Sequence, residues 1–277
     1  MASYVMKKRG ILFPVALAGI LFLSLFPIYW ILTMSLKTPV ENISRVPTLF
    51  PKVITLENYA GLLSGGYLRN LFNSIFVTAS STFVSLVLAF LAAYALCRHR
   101  FPLKLNYAFL VWIIVAKMLP PVVLAVPLYD MFSKMRLLNN LWGLILVYQV
   151  YTLPYCVWML FGFVKTLPLE YEEAAELDGA SRMQTLVLVV LPLVRTGIVA
   201  TAIFGIIVAW DEFLFALLFV RSPELLTLPL VIANFIGEYE TLWGQLMGVG
   251  LLATLPILLF SRVVYRRMTQ AYALGLR

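Results

Sequence analysis

Three ionisable residues, Lys117, Asp211 and Glu212, lie inside otherwise apolar stretches, where a charge is costly unless it is paired or wetted. Two arrangements suit them. One is an ion pair between Lys117 and either Asp211 or Glu212. The other is a line of groups along a solute path, which in an ion-coupled carrier would relay protons. Counted from the starts of their apolar runs at about 1.5 Å per helical residue, Lys117 lies about 18 Å and Asp211 about 24 Å deep, so the two could meet.

The second constellation is acidic. Glu170, Glu172, Glu173, Glu176 and Asp178 share the segment Pro168 to Asp178 with Ala174, Ala175 and Leu177, residues that favour helix. Pro168 suits a first helical turn, where its missing N–H is no loss, and Gly179 tolerates the positive φ that lets one helix stop and a second leave at an angle. The second leg ends at Leu191-Pro192. Such a bent pair between two apolar spans reads either as a docking surface for a soluble partner or as an ordinary amphipathic surface loop.

No enzyme chemistry is legible. A G-x-x-x-x-G-K-[ST] phosphate loop is missing, so ATP phosphates have no cradle in this chain. The single histidine, His99, sits in Arg98-His99-Arg100 and reads as a solvated interface residue. With Cys97 and Cys156 it cannot make a zinc site of N and S ligands, and the two cysteines read as packing residues. No cofactor is expected. Uphill transport would have to draw on an ion gradient or on a separate ATPase.

The elements that would hold these groups are membrane spans. Hydrophobic residues make up 62% of the chain and charged residues 12%, far from the roughly 45–50% and 25% of globular proteins; mean hydropathy is +0.94. Runs long enough to cross about 30 Å of hydrocarbon occur at Ile11 to Leu36, Asn70 to Cys97, Leu105 to Tyr129, Leu138 to Val164, Arg195 to Val220 and Gly244 to Tyr265. The first follows Met6-Lys7-Lys8-Arg9 but is too long for a cleaved signal and reads as an uncleaved span. Six spans put both termini on one side, and thirteen of the 21 lysines and arginines gather there. That side, with the acidic loop, is therefore expected to be cytoplasmic. The net charge of +8 is spread over span ends, which argues against nucleic acid as a partner.

The expected division is a cytoplasmic N-terminus over 1–10, a first span over 11–36, an outer loop over 37–69, a five-span core over 70–265 that includes the loop 167–193, and a cytoplasmic tail over 266–277. Asn139-Asn140 marks a tight outer turn. The apolar stretch inside Arg221 to Trp243 is too short to cross and reads as re-entrant or interfacial. Pro120, Pro121, Pro127, Pro154 and Pro256 interrupt spans, either as packing kinks or where a path is lined.

The run Glu173-Ala174-Ala175, three residues, Gly179, nine residues, then Val189-Val190-Leu191-Pro192 resembles the EAA loop of ABC importer permeases, with only Val189 departing from the pattern. WDEFLFAL around Asp211 and MLPPVVLAVPLYDMF after Lys117 resemble the maltose-type carbohydrate permeases, over most of the chain from about Phe13 to Arg267. Related permeases commonly carry Asn where this chain has Asp211, and the ending MTQAYALGLR is only loosely similar to their glycine-rich tails. The resemblance implies the all-α type I importer fold, with six transmembrane helices in the inner membrane and a cytoplasmic coupling helix between spans four and five. It implies coupling to an ATPase through Glu172, Glu173, Ala174, Ala175, Asp178, Gly179, Leu191 and Pro192, with ATP and Mg bound by that partner. It further implies a second homologous permease, two copies of a cytoplasmic nucleotide-binding subunit, and an extracytoplasmic solute-binding protein that delivers a sugar or sugar-like solute, with an importer of a non-sugar solute as the alternative within the class.

Overall fold

The computed structural model describes residues 12–99, 101–102, 105–237 and 241–274, and of Leu12, Ser261 and 263–274 only the backbone. The basic cluster Lys7, Lys8, Arg9, with Arg100, Lys104 and Arg277, lies outside the described residues, as do the side chains of Arg266 and Arg267. The described chain is helical apart from loops and one isolated bridge between Ile236 and Thr241. In order, the helices are α1 (Leu12–Ser35), α2 (Pro39–Asn42), α3 (Glu57–Ser64), α4 (Tyr67–Arg98), α5 (Leu105–Met118), α6 (Pro121–Lys134), α7 (Leu141–Val147) and α8 (Gln149–Lys165). There follow α9 (Glu170–Leu177), α10 (Arg182–Leu193), α11 (Arg195–Trp210), α12 (Leu214–Phe219), α13 (Leu228–Asn234) and α14 (Trp243–Leu274). Among the described residues three helices are long and apolar enough to cross a membrane, and up to six spans result if each bent pair counts as one.

The bends are where the sequence reading and the structure part. The third expected span is not straight: α5 and α6 meet at 97°. Pro120 and Pro121 donate no backbone hydrogen bond and disfavour helix in the residue before them, so the chain leaves α5 at Met118 and restarts at Pro121. The fourth expected span is α7 and α8, bent by 42°. The fifth breaks after Trp210 and resumes at Leu214, and α11 is itself joined to α10 at 75° about Val194.

Two compact units are present. One comprises the chain up to Tyr67 together with Ile232–Leu255, so it takes in residues that the sequence reading assigned to the five-span core. Here α1 is apolar on every face, as a lipid-facing helix should be. The loop after it is held by polar side chains. Asn58 donates to the carbonyls of Ser35 and Lys37, each at 2.9 Å. Lys37 donates to the Thr48 carbonyl and lies 5.0 Å from the Trp30 ring centre. Glu41 accepts from the Thr48 hydroxyl (2.6 Å) and the Lys52 amide; the Thr48 bond, above all, holds its carboxyl below the usual glutamate range.

The other unit comprises Leu68–Val231 and the chain from Pro256. Within it α8 packs against α11 and α5 and shares a buried apolar cluster with α4 and α10. Helix α11 meets its neighbours with Gly197, Thr201, Gly205 and Ala209, four small residues spaced by four and all buried. That stripe lets helices approach closely in a membrane, where burial of apolar surface gives no drive. Gly197 faces the Phe163 ring, and Gly205 faces the Thr82 methyl and the Cys156 sulfur. The tight turn expected at Asn139-Asn140 is present: Asn139 adopts φ 52, and its side-chain oxygen accepts from the amides of Arg221 (3.0 Å) and Ser222 (2.9 Å), fastening the turn to the end of α12.

Candidate functional site

The acidic helix α9 covers Glu170–Leu177, two residues later than the Pro168 start expected. Three carboxylates in its first turn oppose the helix dipole favourably. It ends in a Schellman motif: Gly179 has φ +85, its amide donates to the Glu176 carbonyl, and the Ala180 amide donates to that of Ala175. The positive φ expected at Gly179 is thus observed. Ser181 then opens α10 with a reciprocal capping box to Gln184, and residues Thr185–Val190 of that helix form a π turn. The second leg runs to Leu193, just past the expected Leu191-Pro192 end, and turns at Val194.

The two faces of α9 differ. Glu173, Ala174 and Leu177 are exposed, Leu177 to 89%. Glu172, expected among the docking residues, instead points into the protein and is buried. Its Oε1 accepts from Arg98 Nε at 2.6 Å, and its Oε2 accepts from the Tyr94 hydroxyl at 2.8 Å. Arg98 also donates through Nη2 to the carbonyls of Leu167 (3.0 Å) and Val164 at the end of α8. The side chain of Glu172 is therefore occupied within the chain. The same is not true of Glu173 or Ala174. His99, next to this clamp, is exposed, as expected.

Of the two arrangements expected for the intramembrane charges, the ion pair of Lys117 with Asp211 or Glu212 is not formed. Among the described residues the ion pairs are Arg98–Glu172 and Lys134–Asp130, and Lys117 pairs with neither acid. Its ammonium donates to the Tyr151 carbonyl at 2.6 Å and lies 3.7 Å from the Tyr155 ring centre, a cation–π contact. The break before Pro120 brings it there, beside the stretch of α8 where Pro154 cannot donate to the Val150 carbonyl. Glu212 is buried and acts as a cap, accepting from the amides of Phe215 (2.8 Å) and Ala216 (3.2 Å) at the start of α12. Asp211 is exposed at the end of α11. A proton relay through Lys117 and an acid therefore lacks its first contact.

Sequence reasoning missed a polar face. Along α4, Asn70, Asn73, Ser74, Thr78, Ser81, Thr82 and Ser85 are all buried. Asn73 donates to the carbonyls of Glu224 and Leu226, Ser74 accepts from the Leu228 amide, and Ser85 bonds Gln149 and Thr152 of α8. The signal was small polar residues every third or fourth position, hidden within a run of high average hydropathy. Farther along, an apolar cleft of about 720 Å³ lies among α4, α5 and α8 beside Phe109, Trp112, Val150 and Leu153. Of its liners, Gln149 has its amide and oxygen committed to Ser81, Ile145 and Ser85.

Residues 85–273 match the family described as binding-protein-dependent transport system inner membrane component. The chain belongs to this family. The permease is 37% identical to the sulfoquinovosyl glycerol transport system permease protein SmoH of Agrobacterium fabrum, over 94% of this chain and 91% of that one. It is 33% identical to the diacetylchitobiose uptake system permease protein DasC of Streptomyces coelicolor, over 96% of both. In fold it is similar to a chain of a bacterial ABC transporter that imports the acidic polysaccharide alginate, with a TM-score of 0.77, 20% identity, and coverage of 93% and 95%. The permease is thus a transport subunit of an ABC importer that works with an ATPase and a binding protein, and ATP hydrolysis belongs to the partner ATPase.

Proposed function

We propose that the permease forms the translocation path for a sugar or sugar-like solute together with a second, homologous permease. Two copies of a nucleotide-binding subunit, which bind ATP and Mg, drive it from the cytoplasmic side, and a solute-binding protein delivers the solute from outside. The observation that carries this reading is the two-faced helix α9, fixed to its own chain through Glu172 while Glu173, Ala174 and Leu177 are open to a partner. Docking uses that face, Ala175, Asp178, Gly179, Leu191 and Pro192 shape the loop, and Glu172 serves it from behind. The sugar class rests on relatives whose names specify sulfoquinovosyl glycerol, diacetylchitobiose and trehalose transport.

The reading requires six spans with both termini and the α9 loop cytoplasmic, in keeping with the excess of basic residues on that side. Single cysteines introduced at exposed Ser44, Glu224 and Met183 test it, in a background where Cys97 and Cys156 are alanine. In intact cells an impermeant maleimide should label the first two and leave the third until the membrane is opened. Labelling of Met183→Cys from outside would reject the orientation.

A further inference from the structure

The route from the docking helix to the spans can be read from which joints are stiff. Along the chain, α9 is followed by the left-handed joint at Gly179, then by the π turn inside α10, then by the 75° bend at Val194 before α11 begins. A displacement of α9 passed along that covalent path meets three places where the backbone can yield. A side-chain route reaches a different helix, α4, and bypasses those joints. Glu172 binds Arg98, the last residue of the unbroken 32-residue helix α4, and Tyr94 one turn earlier. The pair is enclosed, with side-chain exposures of 12% for Arg98 and 10% for Glu172, so water competes little for either group. Arg98 also donates to the carbonyls of Val164, in the last turn of α8, and of Leu167 in the loop that follows, so the ends of α4 and α8 and the start of α9 meet on one guanidinium.

We propose that Arg98 and Glu172 are the positioning residues that make α9 and α4 move as one body, so that displacement of the docking helix by the ATPase enters the membrane through α4. The proposal rests on α9 being the docking helix. It assigns Glu172 a role distinct from Glu173 and Ala174: they hold the partner, and Glu172 passes its motion on.

The test uses the assembled transporter with Glu172→Gln or Arg98→Gln in the permease. Each variant should keep normal permease abundance and normal ATPase recovery, while solute moved per ATP hydrolysed falls about tenfold, the size of an ordinary coupling interaction. Tyr94→Phe, which leaves the ion pair, should stay near the unmodified protein. Spin labels at the exposed positions Leu91 on α4 and Glu176 on α9 give a second measurement. In the otherwise unmodified transporter their separation should be narrow and the same with and without ATP; with Glu172→Gln it should broaden and shift with nucleotide. Unchanged transport per ATP in both variants would overturn the proposal. So would loss of ATPase recovery with Glu172→Gln, or a label separation that changes with nucleotide in the unmodified protein. If the variants fail to accumulate, the label separation in the unmodified transporter decides alone. Failure of the docking reading itself appears separately, as full ATPase recovery with Ala174→Trp.

Discussion

Ala174→Trp is expected to leave a permease that inserts at its usual level and loses its ATPase, with affinity for that subunit and uptake both falling about 100-fold, the effect of one or two interface hot spots. Ala174 is exposed on α9 beside Glu173 and Leu177, and its small side chain lets a partner approach the helix backbone closely. An indole there meets no neighbour required by the fold, so the damage falls on the interface. Gly179→Val should act more weakly and by another route. A Cβ at Gly179 would meet nothing within 4 Å, so the cost comes from φ +85, about 1–2 kcal/mol for an ordinary side chain and more for a β-branched one. The measurement is co-purification of the tagged ATPase from detergent, with permease abundance read in the same membranes. Normal recovery with Ala174→Trp would remove α9 as the docking site, and a fall in permease abundance would mean that the loop only packs on its own spans.

Gly205→Leu should do the opposite, sparing the docking face and destroying the fold behind it. A Cβ at Gly205 would stand 2.8 Å from the Thr82 methyl carbon and 3.6 Å from the Cys156 sulfur, both on buried residues of neighbouring helices. Gly205→Ala forces a small shift of Thr82, about 1 kcal/mol. Leucine adds three more carbons where α11 meets α4 and α8, at about 3 kcal/mol or beyond. Losses of that size lower abundance roughly tenfold when quality control removes unfolded chain. Melting of the detergent-purified permease, followed by size exclusion, should show the graded order glycine, alanine, leucine. Equal melting of all three would contradict the close packing of α11.

Much of this was legible in the sequence because it rests on local rules. Apolar run length marked the helices, Gly179 announced its left-handed turn, and Asn139-Asn140 announced theirs. What escaped depends on distant partners or on averages. Arg98 and Glu172 are 74 residues apart, and nothing local distinguishes Glu172 from Glu173, yet one carboxylate turns inward and the other outward. The polar face of α4 was hidden because hydroxyls in helices bond their own backbone, as Ser81 does to the Thr78 carbonyl, and so cost little in an apolar run. Lys117 was expected to seek a carboxylate, since formal charge was the only partner visible; a tyrosine ring and a backbone carbonyl hold it instead. Glu212 was unavailable because the break after Trp210 leaves amides that need a cap, a requirement that becomes visible only when the helix stops.

The most direct test of the central claim is uptake into proteoliposomes that contain this permease and the second, homologous permease proposed for it. The cognate binding protein is loaded with a labelled oligosaccharide, with and without the ATPase subunits and ATP. The account predicts accumulation only when ATPase, ATP and binding protein are all present, and none when a proton gradient is imposed in their absence. Accumulation driven by the proton gradient without the ATPase would contradict it and restore the ion-coupled carrier.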